Sequence, residues 1–142
     1  MPFIQIKLGG DRDPALARAV ATRVTALTRQ HLHKDPALTA VAVEFVPAEQ
    51  WFIGAAALSA QGARSYHLAI GVTDETNTKD EKAAYIAAVH AAMDELLGGV
   101  HTTSYVHVHD VRAAGYGYGG LTQERRYVQA QAPAALRLAG AR

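Results

Sequence analysis

The sequence contains no cysteine, which excludes disulfide bridges, thiolate metal sites and thiol nucleophiles and suits a reducing compartment. Neither sign of charge dominates: 14 Lys and Arg against 13 Asp and Glu leave a net charge of +1. No broad basic surface therefore invites nucleic acid or anionic lipid. No apolar run approaches the roughly 18 residues of a membrane span, and no long apolar leader opens the chain. These absences predict a cytoplasmic protein that binds neither membrane nor nucleic acid. What is present is ordinary for a globular chain: 142 residues, 49% apolar and 19% charged, enough to bury one sizeable core.

The amino terminus is the first distinctive stretch. Pro2 follows the initiator methionine and leads into an alternating strand in which Phe3, Gln5 and Lys7 point one way and Pro2, Ile4, Ile6 and Leu8 the other. Loss of Met1 leaves Pro2 a secondary amine, and α-amino groups titrate near about 7.7–8.0. Burial or nearby cations lower that value toward neutrality, where the amine can accept a proton.

Asp13-Pro14 then supplies a helix cap followed by proline at the first helical position. Leu16, Val20, Val24 and Leu27 recur at helical spacing until about Leu32, ahead of Lys34-Asp35-Pro36. A strand is predicted over Thr39 to Val46, a hairpin-like segment at Trp51-Phe52-Ile53-Gly54, and a connection over 55–64. The same order then repeats. A strand runs from Tyr66 to Val72, a polar loop over 73–78, and a helix from Lys79 carries Ile86, Val89, Met93 and Leu96. Gly98-Gly99 ends that helix. Ser104 to Val111 is a strand, and Gly115 to Gly120 is a glycine-aromatic turn.

An offset of 65 residues (64 in the first strand) superimposes the halves: Val20 on Tyr85, Val24 on Val89, Val43 on Val108, Trp51 on Tyr116 and Gly54 on Gly119. This is an internal duplication of a β-α-β unit, over about 2–54 and 66–120. Each crossover makes its two strands parallel. The expected fold is α+β: a four-stranded mixed sheet with two helices on one face, in a single domain. The uncovered face calls for self-association. The tail, 128–142, is expected to strap over a neighbour or to be partly disordered.

A duplicated β-α-β unit beginning at Met-Pro resembles the tautomerase superfamily, typified by 4-oxalocrotonate tautomerase and macrophage migration inhibitory factor. The resemblance covers about residues 2–127. It rests on Pro2, Arg12, Asp35-Pro36-Ala37-Leu38-Thr39 leading into Val41-Ala42-Val43-Glu44, the segment Pro47 to Gly54, and Tyr116-Gly117-Tyr118-Gly119-Gly120. It implies a cofactor-independent keto-enol tautomerase, assembled as a homotrimer and acting on a small anionic keto or enol acid. Pro2 matches the family's general base and Arg12 its carboxylate-binding arginine. Trp51 or Tyr116 matches the pocket aromatic, depending on which half lends its hairpin. Lys7, facing opposite to Pro2, is read from its strand position as a surface charge, an interface residue or a secondary substrate-binding cation.

Three departures from the family pattern matter. The second-strand arginine position holds Ala42 in the first half and His107 in the second, so His107 is the polar candidate for that role. Tyr66 stands where the second half would have a proline, and Thr76 or Asn77 falls opposite Arg12. One catalytic site per chain follows. The loop from Thr73 to Asn77 carries no arginine, against a hydratase or dehalogenase-like relative. A non-catalytic ligand-binding or scaffold trimer is the alternative from another functional class. His107 and His109 share a strand face as some metal ligands do, but surface or interface roles are commoner, and no metal is expected.

Overall fold

The structure, a computed structural model, describes residues 2–133. Its centre is a four-stranded sheet in the order β2-β1-β5-β6. β1 (Phe3–Gly9) runs parallel to β2 (Ala40–Val46), antiparallel to β5 (Tyr66–Thr73), and β5 runs parallel to β6 (Tyr105–Val111). Two 19-residue helices, α1 (Pro14–Leu32) and α3 (Lys79–Leu97), make the two crossovers and cover one face. Each half thus closes as a β-α-β unit, and the two inner strands join the halves head to tail.

The period of two in β1 decides which way the sheet faces. Ile4, Ile6 and Leu8 are wholly buried under the helices, whereas Phe3, Gln5 and Lys7 are exposed on the other face. The same alternation buries Tyr66, Leu68, Ile70 and Val72 on β5. α1 contributes Val20, Val24, Thr28 and Leu32 to this core at four-residue intervals. Its start is fixed by Asp13, whose Oδ1 accepts from the Leu16 amide at 3.1 Å.

Of the face expected on α3, Val89 and Met93 are buried and Leu96 packs against the core, but Ile86 does not. Tyr85, Val89, Ala92, Met93 and Leu97 are buried, while Ile86 is 39% exposed. The reason is a polar contact in the core: the Tyr85 hydroxyl lies 2.9 Å from Thr28 Oγ1, which also donates to the Val24 carbonyl at 2.7 Å. This satisfied pair turns Tyr85 inward and rolls Ile86 to the flank. Thr78 and Glu81 form a reciprocal capping box at the start of α3, and Gly98 (φ 71) ends it.

The segment expected to be a plain connection, 55–64, is more structured. β3 (Phe52–Ile53) and β4 (Ala56–Ala57) form a hairpin that runs into a short α2 (Leu58–Gln61), whose C-terminal Gly62 adopts φ 59. The second half repeats the arrangement with β7 (Gly117–Tyr118), β8 (Leu121–Thr122) and α4 (Gln123–Gln131). At Gly117 a Cβ would collide with the Leu121 carbonyl, so glycine is what lets this hairpin close. The start of the tail, 128–131, is the end of α4, and the rest of the expected strap or disordered segment, 134–142, lies outside the described residues. Arg126 anchors α4 to the hairpin: its guanidinium sits 3.7 Å above the Tyr118 ring and donates to the Tyr118 carbonyl at 2.7 Å. None of the described helices is long and apolar enough to cross a membrane.

Candidate functional site

Pro2 is buried at the head of β1, and the Ala40 amide donates to its carbonyl at 3.2 Å. Ile4 lies opposite Ile70 in the antiparallel register, and continuing that register brings Pro2 opposite Val72. The sheet end around Pro2 is thus formed by the start of β2 and the C-terminal end of β5. Thr73 Oγ1 there lies 2.6 Å from the Tyr116 hydroxyl. Within one protomer it is Tyr116, from the second hairpin, that joins the Pro2 end.

Arg12 and Trp51 are at the other end. Arg12 follows the last residue of β1 and lines a cleft of about 440 Å³ with Pro14, Ala17, Val43 and Phe45. Trp51 packs against Gly9, whose Cβ, if present, would lie 3.4 Å from Trp51 Cε3. A seven-residue strand spans about 23 Å at a rise of roughly 3.3 Å per residue. Arg12 and Trp51 therefore do not share a pocket with the Pro2 of their own chain. Lys7 is five residues from Pro2, about 16 Å on the same rise, and points to the open face. Opposite Leu8, at the same end of the sheet as Arg12, the proline-equivalent position holds Tyr66, buried, with its hydroxyl 2.9 Å from His90 Nδ1 and its ionisation pushed up to about 12 by burial.

His107 lies halfway along the edge strand β6 on the open face, where it meets a neighbour that spacing alone does not reveal. His67 Nε2 is 2.9 Å from His107 Nδ1, and His107 stacks between Tyr105 and His109 with ring separations of 5.9 and 5.6 Å. Burial, then His107, Lys7 and His109, hold the His67 ring below its ordinary titration range. His67 was findable, since the β5 alternation puts it on the same face as Lys7, its cross-strand partner. Among the described residues, no group of three or more His, Cys, Asp or Glu could hold a metal ion.

The open face exposes two large apolar side chains, Phe3 on the inner strand β1 (54%) and Tyr105 on the edge strand β6 (56%). A shallow cleft of about 470 Å³ runs between β1 and β2 over Phe3, Gln5, Lys7, Ala42 and Glu44.

No protein-family model matches the chain, and no curated protein matches it in sequence. Solved structures do match in fold. A fused 4-OT solved as a symmetric trimer superimposes with a TM-score of 0.74 at 18% identity, covering 86% of this chain and 96% of that one. The protein Pt0534, solved after inactivation by 2-oxo-3-pentynoate, gives 0.76 at 16%, covering 87% and 98%. A macrophage migration inhibitory factor-like protein from Entamoeba histolytica gives 0.70 at 14%, covering 85% and 97%. At these identities the likeness is one of fold: the chain is built as the fused 4-OT and migration inhibitory factor-like proteins are, over nearly their whole length.

Proposed function

We propose that this protein is a cofactor-independent isomerase in which Pro2, freed by loss of Met1, moves a proton within a small unsaturated keto or enol acid. The neutral amine takes a proton from the enol oxygen or an acidic carbon, and the electron pair spreads into the conjugated carbonyl. The resulting ammonium returns the proton to another carbon of the same molecule, so atoms and charge balance without a cofactor. The observation that carries this reading is the position of Pro2, buried at the head of an inner strand beside the Thr73–Tyr116 hydroxyl pair. Burial favours the neutral, proton-accepting amine, and Tyr116 is suited to line the substrate.

Self-association as a homotrimer through the open sheet face completes the site in this reading. The exposed Phe3 and Tyr105 support it, as does the fold shared with a fused 4-OT solved as a trimer. His107, on the edge strand β6, and Arg12 would then reach Pro2 from neighbouring protomers and stabilise the substrate carboxylate and the developing enolate. Lys7 and Trp51 likewise contribute only across a subunit boundary.

The competing reading, a non-catalytic ligand-binding trimer, draws on one observation: Thr76 stands at the Pro2 end where the first half of the chain has Arg12. Two measurements separate the readings. Intact mass first establishes whether Met1 is gone. Pro2→Ala should then lower turnover of phenylenolpyruvate or 2-hydroxymuconate by about 10²–10⁴-fold, the range of general acid–base catalysis. It should also prevent adduct formation with 2-oxo-3-pentynoate while leaving the circular dichroism unchanged. Equal turnover in the variant overturns the mechanism.

A further inference from the structure

We infer that His67 positions His107, fixing that exposed imidazole so that its Nε2–H faces outward as a donor to an anionic oxygen of the substrate. The inference deepens the proposed proline chemistry and rests on it for the place of the substrate.

The alternation of β6 sets Tyr105, His107 and His109 in one file on the open face. The His107 ring lies nearly parallel to both neighbours, at 8° to Tyr105 and 12° to His109. Its Nδ1 edge is taken by His67 Nε2 at 2.9 Å, the two rings meeting edge to face at 60°. The cross-strand partners of His107 and His109 on β5 are Ala69 and Gly71, small residues that leave the rings room to lean toward His67. Both faces and one edge of an exposed side chain are thus occupied. Among the described residues nothing bonds His107 Nε2, the one polar ring atom left to it. Ordering an exposed imidazole in this way costs conformational entropy, and a group so held is preorganised for a ligand.

The charges around His67 set which ring carries the shared proton. Lys7 is its cross-strand partner on β1, with Glu44 of β2 beyond it, and among the described residues neither is in an ion pair. On the other side β6 brings Tyr105, His107 and His109. Burial, then His107, Lys7 and His109, hold the His67 ring below its ordinary titration range, which favours the neutral form with one N–H and one lone pair. Its Nε2 is turned to β6, away from Lys7 on β1. A proton there directs the positive end of the ring dipole away from the ammonium. His67 therefore donates and His107 Nδ1 accepts, which leaves the proton of a neutral His107 on Nε2. A carboxylate or enolate oxygen requires that tautomer, because the opposite one presents a lone pair. His67 itself transfers no proton and touches no substrate.

A contact that only steadied the fold would act alike with or without His107, so a double-mutant cycle separates the two roles. The probe is trans-cinnamate, a conjugated acid with no proton to move, titrated by NMR against wild type and each variant. His107→Ala removes the donor and should weaken binding by about ten- to a hundredfold, as for a hydrogen bond to a charged group. His67→Phe keeps a ring but leaves His107 to be ordered by the ligand, and should weaken it about three- to tenfold. His67→Gln, whose amide donates from about the same reach, should stay within about twofold of wild type. In the His107→Ala background His67→Phe should add less than about twofold. In isotope-labelled wild type, nitrogen–nitrogen coupling across the His67–His107 hydrogen bond should be seen, with the proton on His67. A missing coupling or a proton on His107 Nδ1 overturns the inference, as does an equal loss from His67→Phe in both backgrounds. Cinnamate that does not bind wild type, or binds regardless of both histidines, overturns it too. Pro2→Ala keeps the two readings apart: it should bind cinnamate within about threefold of wild type and lose turnover of phenylenolpyruvate. If it turns over as wild type does while the cycle holds, the proline mechanism falls and the histidine pair stands. If turnover needs Pro2 but binding is indifferent to both histidines, the reverse holds.

Discussion

Pro2 and Arg12 stand at opposite ends of β1, so the two residues that the amino-terminal sequence places ten positions apart cannot meet in one protomer. Any dependence of proline chemistry on Arg12 must therefore cross a subunit boundary. Mixing makes this measurable. If Pro2→Ala and Arg12→Ala chains are each inactive and are unfolded and reassembled together, about one site in four pairs an intact proline with an intact neighbouring arginine. Activity should return to roughly that fraction of wild type. A mixture as inactive as its components would remove Arg12 from the site.

The architecture was legible because it depends on local periodicity repeated twice. The alternation in β1, the four-residue spacing in α1, the Asp13-Pro14 start and the Gly98 stop each act over a few residues, and the offset of 65 supplied the pairing of halves. What was not legible depends on distance in space. Lys34 meets Thr76 across 42 residues, Tyr85 meets Thr28 across 57, and His67 meets His107 across 40. No spacing rule reaches that far. The separation of Pro2 from Arg12 was in principle readable, since a seven-residue strand lies between them.

The buried Tyr85 makes the fold sensitive to alkali. Its hydroxyl is pushed up to about 12 by burial, against an ordinary tyrosine value of 10.0, with the Thr28 hydrogen bond acting in the opposite direction. The folded protein thus keeps a proton that the unfolded chain releases. The stability tied to that proton is intact below pH 10 and is lost as pH rises toward 12. That difference corresponds to about 3 kcal/mol. Chemical denaturation at pH 9 and at pH 11.5 should show a steeper loss in wild type than in Tyr85→Phe, which has nothing to ionise. Parallel losses would mean that Tyr85 does not carry the effect.

The first hairpin holds a strained residue where the second does not. Ile53 pairs with Ala56 and Tyr118 with Leu121, leaving two-residue turns whose central residues have positive φ: Gly54 and Ala55 (both 62), and Gly119 (59) and Gly120 (81). Such turns favour glycine at both positions, and a left-handed alanine costs about 1–2 kcal/mol. Glycine also gives more entropy to the unfolded chain, by roughly 0.5–1 kcal/mol. Ala55→Gly should therefore stabilise by up to about 1 kcal/mol, read as a raised denaturation midpoint with an unchanged slope. A lowered midpoint would mean that the alanine is not strained.

The histidine cluster should make the open face sensitive to acid. His67 faces Lys7 from β1 and His107 and His109 from β6, with Glu44 of β2 opposite Lys7. Burial and these neighbours depress its ring below the ordinary 6.5, so the unfolded chain takes up a proton before the folded one does. By linkage, the contribution of a neutral His67 is complete above pH 6.5 and is lost as pH falls through its depressed folded value. The hydrogen bond to His107 adds to this, because a doubly protonated pair has no acceptor between the two rings. Urea midpoints measured from pH 8 to pH 5 should fall less in His67→Asn than in wild type, the curves converging above pH 7 apart from a constant offset. His109→Asn, which leaves the 2.9 Å contact in place, should change the curve less. If His67→Asn reproduces the wild-type pH dependence, the acid sensitivity lies elsewhere in the fold.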